Sequence, residues 1–135
     1  MALIDRYKNV NILNLSGCRN IKDFTPISKI ERLKILNVNE TYISDISFLE
    51  KNKYIIDLNL FGCKNIKDFK PISRIERLEI LDVCYTNICN ISFLEKNKNI
   101  KKLRLIGCKN INKNNNIFNR KDICIYMNKD INVNF

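Results

Sequence analysis

The sequence contains no histidine and no tryptophan, and only 3 of its 135 residues are glycine and 2 are proline. Histidine is the commonest general base, the usual activator of serine and cysteine nucleophiles, and the most frequent transition-metal ligand. Its absence removes a key group from most enzyme mechanisms, and the scattered Asp, Glu and Cys residues form no catalytic constellation. We therefore expect a protein that is not an enzyme, with no catalytic residues, no metal site and no cofactor.

Long hydrophobic runs are also missing. Charged residues occur as early as Asp5 and Arg6, so the N-terminal segment does not show the apolar run that a signal peptide needs. No later stretch approaches the roughly 20 apolar residues that span a bilayer. These absences predict an intracellular, cytoplasmic protein without membrane contact. Hydrophobic residues still make up 45% of the chain, which suffices for one domain if the core is spread along a stack.

One segment of the sequence recurs at a fixed interval. Gly-Cys-Arg-Asn-Ile-Lys-Asp-Phe at residues 17–24 returns with one change at residues 62–69, and a third copy begins at residue 107, an interval of 45 residues each time. A second matched segment, at residues 46–52 and 91–97, lies between the copies at the same interval. The long unit therefore contains two different shorter ones.

A short apolar alternation marks each shorter unit. It occurs in five coils, in steps of 22 or 23 residues, at Leu13/Leu15, Leu36/Val38, Leu58/Leu60, Leu81/Val83 and Leu103/Leu105. Alternation over so few residues indicates a strand with one buried face, and the step fits one strand plus a return segment. A single coil cannot bury its apolar face alone, so the coils are expected to stack.

These coils resemble the leucine-rich-repeat family, in which apolar residues occupy positions 1, 4 and 6 and Asn, Cys or Thr occupies position 9. All five coils match this pattern over residues 10–118, and the return segments resemble those of the bacterial internalin class. The resemblance implies an α/β leucine-rich-repeat solenoid, with a parallel β-sheet on the concave face and short helical or 3-10 turns and loops on the convex side. The Asn-, Ile- and Lys-rich composition is also similar to poxvirus-type repeat proteins, which would place the chain in a host cytoplasm.

The chain is predicted to form a single leucine-rich-repeat domain over residues 1–135. About five repeats occupy residues 10–118, followed by a degenerate C-terminal cap at 119–135 in which Ile123, Ile125 and Met127 alternate as a last strand. One Asx side chain per coil is expected to turn the backbone into each return segment, and the set is Asp23, Asp45, Asp68 and Asn90. Pro26 and Pro71 fit the first turn of such a segment.

The cysteines are predicted to be free thiols. Cys18, Cys63 and Cys108 take the ninth position in alternate coils, so they are expected about 10 Å apart, beyond the roughly 7 Å between Cα atoms that a disulfide tolerates. The other three follow no metal-ligand spacing. In the family the ninth position points inward, which implies that these three thiols are buried.

The third, fifth and seventh residues of each coil are expected to face solvent on the concave sheet. Our leading hypothesis is a non-enzymatic protein–protein interaction module that binds a partner there. The predicted apolar anchors are Ile35, Phe61, Ile80 and Tyr85, and the predicted polar groups are Asn37, Asn59, Asp82 and Arg104. Single exposed apolar residues are common in proteins, so a purely structural role is the competing interpretation.

The charge supports an alternative hypothesis. The formal net charge is +10, and stacking would align two cationic ladders, Arg19, Lys64 and Lys109, and Lys22, Lys67 and Lys113. A basic solenoid of this kind could bind nucleic acid or another acidic surface. Lysines elsewhere in the coils, and the residue bias of an AT-rich genome, explain the same charge without binding. A protein partner is therefore the first expectation and nucleic acid the second, with the oligomeric state open.

Overall fold

The computed structural model describes residues 9–128, so the predictions made for residues 1–8 and 129–135 lie outside it. Six short strands form one parallel sheet in sequence order. They are β1 Ile12–Asn14, β2 Ile35–Asn37, β3 Asp57–Asn59, β4 Ile80–Asp82, β5 Lys102–Arg104 and β6 Cys124–Tyr126. The predicted concave sheet is confirmed, and β6 is the last strand that the alternation after residue 122 indicates.

Short 3-10 helices return the chain between strands. They span Thr25–Lys29, Ser47–Lys51, Lys70–Arg74, Ser92–Lys96 and Asn116–Asn119. The predicted Asx turns are confirmed, because Asp23 Oδ1 accepts a hydrogen bond from the Thr25 N–H at 3.0 Å and the equivalent bonds form at the three later Asx residues. Pro26 and Pro71 are the second residues of their 3-10 helices and so lie in the first turn, as expected.

The core is a single column of stacked side chains. In the sheet register Leu13, Leu36, Leu58, Leu81 and Leu103 lie side by side. The last four have at most 1% of their surface exposed, and each such burial contributes about 2 kcal/mol. Leu13 is only half-buried because no described strand lies beyond β1. The predicted common interior is therefore confirmed.

The turn that ends each strand has a left-handed residue at its eighth position. Gly17, Gly62 and Gly107 take φ values of 72°, 72° and 77°, whereas Glu40 and Tyr85 take 52° and 55°. This conformation costs an L-residue about 1–2 kcal/mol and costs glycine little. The coils of β1, β3 and β5, called odd coils below, thus have a relaxed turn, and the even coils of β2 and β4 have a strained one.

The coils also alternate after each 3-10 helix. Even coils have a fully buried asparagine there, and Asn52 Nδ2 donates to the carbonyls of Ile27 and Ile30, in the preceding coil, at 3.0 and 3.2 Å. Asn97 makes the same two bonds one long unit further on, each at 3.0 Å. The coils of β1 and β3 have Ile30 and Ile75 at this position, and the coil of β5 has Arg120, which donates to the carbonyls of residues 97, 98 and 100. The asparagines of the even coils therefore join each of these return segments to the preceding one by hydrogen bonds.

All six cysteines are free, as predicted. Cys63 is buried, and its thiol donates to the Val38 carbonyl of the preceding coil at 3.1 Å. Burial raises the pKa of the Cys63 and Cys108 thiols, so both stay protonated at neutral pH. The expectation of a buried Cys18 is wrong. It is exposed because no described coil precedes its own.

Among residues 9–128, the helices are too short and too polar for any of them to cross a membrane.

Candidate functional site

Three residues on the concave face form a strip near the starts of the strands. Ile35, Asp57 and Ile80 are register partners in adjacent strands, and all three are half-buried. Ile12 extends the strip on one side with 63% of its surface exposed, and Lys102 extends it on the other. The structure thus places the predicted anchors Ile35 and Ile80 on either side of one carboxylate.

Asp57 is the part of this strip that the predicted site omitted. Burial raises the pKa of its carboxyl above the usual value, the nearby Lys102 lowers it, and Asp82 raises it further. Because this carboxylate is already partly removed from water, pairing it with a cation of a partner requires less additional desolvation free energy. The sequence signal was available, because Asp57 takes the third position of a coil whose neighbours have isoleucine there.

The predicted polar groups of the fifth positions hold the strand ends. Asn37, Asn59 and Asp82 each accept, through Oδ1, a hydrogen bond from the backbone N–H two residues further on, at 2.9, 2.9 and 3.0 Å. Such Asx turns fix where the strand ends and the turn begins. These three side chains therefore stand on the concave face with an internal structural role that the sequence interpretation did not assign.

Arg104 is held in place by two neighbours. Its Nε lies 3.3 Å from Asp82 Oδ2, an ion pair without hydrogen-bond alignment, and its guanidinium lies 5.4 Å from the centre of the Tyr126 ring. The side chain is half-buried. This predicted binding residue thus presents a fixed cation near the end of the sheet.

The other two predicted anchors meet at the opposite ends of the strands. The rings of Phe61 and Tyr85 are in edge-to-face contact, with centroids 5.2 Å apart. Tyr85 is 48% exposed, and its ring covers Gly107, where a Cβ atom would lie 2.4 Å from Tyr85 Cδ1. The four anchors therefore form two pairs, one beside Asp57 and one beyond the ends of β3 and β4.

Cys84 corrects the expectation that every seventh position is exposed. Only 1% of its surface is accessible, and its thiol interacts with Asp82 and Arg104. Burial, with the Asp82 carboxylate, raises the pKa of Cys84 to about 11. The thiol is therefore protonated and unreactive at neutral pH.

Two adjoining recesses lie on the flank where the strands end, along the cationic ladder that the sequence predicts at Arg19, Lys64 and Lys109. The first is lined by Arg19, Glu40, Tyr42, Lys64 and Tyr85 among others. The second shares Lys64 and Tyr85 and continues to Lys109. Tyr42 is 60% exposed. It was overlooked because the even coils have one residue fewer in this turn, which displaces it from the repeating motif.

The chain is similar to leucine-rich-repeat proteins of known structure. An internalin from Listeria monocytogenes, inlF, is 26% identical, with a TM-score of 0.65 over 69% of this chain and 27% of its own. A second internalin of that bacterium, inlC2, is 20% identical, with a TM-score of 0.80 over 90% and 53% of the two chains. The functional domain of InlJ from the same species, which includes a cysteine ladder, is 18% identical, with a TM-score of 0.57 over 93% and 31%.

These likenesses and the geometry above define the fold as a leucine-rich-repeat solenoid. Its repeats are of the short internalin type, so the resemblance seen in the sequence is confirmed. No protein-family model and no curated protein sequence matches the chain. The chain spans between 27% and 53% of the length of these three internalins. Repeat solenoids of this class work in general as protein-interaction modules, through their extended concave surfaces.

Proposed function

We propose that the chain is a non-enzymatic module that binds a partner protein on the concave face of its sheet. The observation that supports this most is the strip of Ile35, Asp57 and Ile80, which puts half-exposed apolar side chains on both sides of a partly desolvated carboxylate. Apolar groups around one charged group are a common composition of binding hot spots.

The chemistry of the strip defines the complementary surface. A partner that places a lysine or arginine over Asp57 would compensate its partial desolvation, and apolar groups beside that cation would cover Ile35 and Ile80. Lys102 and Arg104 continue the surface with positive charge. The preferred partner therefore presents a basic and apolar patch, bordered by an acidic group at the end that faces β5.

The test uses a partner captured by the full chain from cells and then purified. We expect Ile35→Ser together with Ile80→Ser to weaken its affinity by about tenfold or more, since both anchors lose their apolar contact. Ile106→Ser is the control, because Ile106 is also a half-buried isoleucine but lies beyond the end of β5, outside the strip. Circular dichroism checks that each variant folds. Equal affinity of the double variant and the control would contradict the proposal.

A further inference from the structure

The flank groove, defined as the two recesses that share Lys64 and Tyr85, combines regularly spaced cations with exposed rings. Arg19, Lys64 and Lys109 each follow the ninth-position cysteine of an odd coil, and all three are exposed. Tyr42 and Tyr85 come from the even coils between them. In coil order the groove therefore has a cation, a ring, a cation, a ring and a cation, with Tyr42 at the tenth position of its coil and Tyr85 at the eighth.

The spacing of these cations follows from the sheet. Neighbouring strands are in parallel register, and they lie about 4.8 Å apart, so equivalent residues of successive odd coils are about 9.6 Å apart. An extended polyproline-type peptide advances about 9.3 Å in three residues and returns to the same side of its axis. Every third residue of such a peptide would therefore meet the next cation of the groove.

Glu40 distinguishes a peptide from a nucleic acid as the occupant. Its carboxylate lines the first recess, between the coils that carry Arg19 and Lys64. A nucleic acid carries a phosphate on every nucleotide and would bring negative charge against Glu40 as well as against the cations. A peptide with an acidic residue only at every third position presents neutral residues there.

We propose that the flank groove binds an extended acidic peptide segment of a partner protein. Acidic side chains at every third position pair with Arg19, Lys64 and Lys109, and the proline or apolar residues between them pack on Tyr42 and Tyr85. This surface is separate from the Ile35, Asp57 and Ile80 strip, so either proposal can fail without the other.

The backbone of the even coils supports this assignment. Glu40 and Tyr85 adopt φ values of 52° and 55°, where the odd coils have glycine. Large side chains persist here at a cost of about 1–2 kcal/mol each, and strain of this kind is characteristic of functional positions. Both strained residues line the groove.

The experiment measures binding of two fluorescein-labelled nine-residue peptides and one labelled oligonucleotide to the full chain by fluorescence anisotropy. One probe repeats Glu-Pro-Pro three times, a second has the same composition with the three glutamates adjacent, and a third is a single-stranded oligodeoxynucleotide with the same charge. We expect the periodic peptide to bind about tenfold more tightly than either of the others, since only it meets three cations and two rings together. Equal affinity for the two peptides, or tighter binding of the oligonucleotide, would overturn the proposal.

Two single substitutions test whether the periodic peptide binds in the flank groove. Lys64→Gln is expected to weaken the periodic peptide about fivefold and Tyr42→Ala to weaken it by a similar factor, because each removes an exposed contact without disturbing the core. Lys51→Gln is the charge-matched control, since Lys51 is exposed at the end of a 3-10 helix on the convex side. Equal weakening by Lys51→Gln would mean attraction by net charge alone and would contradict the assigned groove. Ile35→Ser with Ile80→Ser is expected to leave peptide binding unchanged.

Discussion

The odd and even coils of this solenoid share one core and differ at their edges. Both place a leucine in the same register column, and those in β2 to β5 are fully buried. At the strand end the odd coils have glycine where the even coils have Glu40 or Tyr85. After the 3-10 helix the even coils have a buried asparagine, whereas the coils of β1 and β3 have isoleucine and the coil of β5 has arginine. The comparison teaches that stacking fixes the fold, while the alternation of coils sets an edge pattern with twice the strand spacing.

The buried asparagines should show the largest difference between the two kinds of coil. Asn97→Ala removes two hydrogen bonds to the carbonyls of Ile72 and Ile75 and leaves a cavity, so we expect a loss of about 3 kcal/mol in the free energy of unfolding. Asn99→Ala is the control. Asn99 is exposed and makes one such bond, to the Glu76 carbonyl at 2.8 Å, so its loss should be below about 1 kcal/mol. Urea unfolding measures both, and equal losses would contradict the distinct role of the even coils.

The glycines provide the next comparison. Alanine at Gly107 would be strained by its φ of 77° and would also meet the Tyr85 ring at 2.4 Å, whereas nothing lies within 4 Å of a Cβ at Gly17. We expect Gly107→Ala to cost about 2–3 kcal/mol and Gly17→Ala about 1 kcal/mol. In a Tyr85→Ala background the cost at Gly107 should fall to that at Gly17. A cost that stays unchanged when the ring is removed would show that the ring does not cover this glycine.

The contribution of Asp57 to stability, in strand β3, should change with pH in the opposite direction to the contributions of Asp23 and Asp45, which precede the 3-10 helices. Burial raises the pKa of Asp57 in the folded state above its usual 3.8, so its contribution to stability falls as pH rises from 3.8 through the raised value. Hydrogen bonds from Thr25 and Ser47 lower the pKa of the exposed Asp23 and Asp45, so their contribution is present above 3.8 and is lost as pH falls below it.

Thermal unfolding of Asp57→Asn between pH 3 and pH 7 tests the first of these signs. The gain in Tm relative to the original chain should be larger at pH 7 than at pH 3, and Asp23→Asn should show the reverse, a loss that is larger at pH 7. A gain at Asp57 that grows as pH falls would contradict the partial desolvation on which the concave site depends.

The ninth position should show the smallest difference. Cys63 contacts the Val38 carbonyl of the preceding coil at 3.1 Å, whereas Thr41 bonds at 2.8 Å to that same carbonyl from within its own coil. We expect Cys63→Thr, which gives an odd coil the residue of an even coil, to cost less than about 1.5 kcal/mol because the volumes are similar. Cys63→Phe is a control that overfills the site, and chemical denaturation of the two variants measures both. A larger cost for threonine than for phenylalanine would show that the thiol itself is required.

The sequence was sufficient for the strands, the leucine column and the Asx turns, because each is a local pattern repeated in every coil. It was not sufficient for features that depend on the neighbouring coil. Nothing local to Asn52 or Asn97 indicates burial, since their carbonyl partners lie 22 and 25 residues earlier. Cys84 was misjudged for the same reason, because Arg104, with which its thiol interacts, belongs to the next coil.

The left-handed backbone conformation of the turns could have been predicted from the sequence. Glu40 and Tyr85 align with three glycines, and that alignment predicts the same backbone conformation in all five turns. The same alignment could not predict that the Tyr85 ring covers Gly107. This covering depends on which neighbouring coil the ring folds towards, and the Phe61 contact at 5.2 Å shows that the ring lies between two odd coils.

The proton chemical shifts of the glycine Hα atoms test this alternation most directly. If each even coil extends its eighth side chain over the next odd coil, the Tyr85 ring shifts the Gly107 Hα resonances upfield, and Tyr85→Ala abolishes that shift. Gly17, which has no such neighbour in the described chain, is expected to keep ordinary shifts in both proteins. Identical shifts for Gly17 and Gly107 in the original chain would contradict the account.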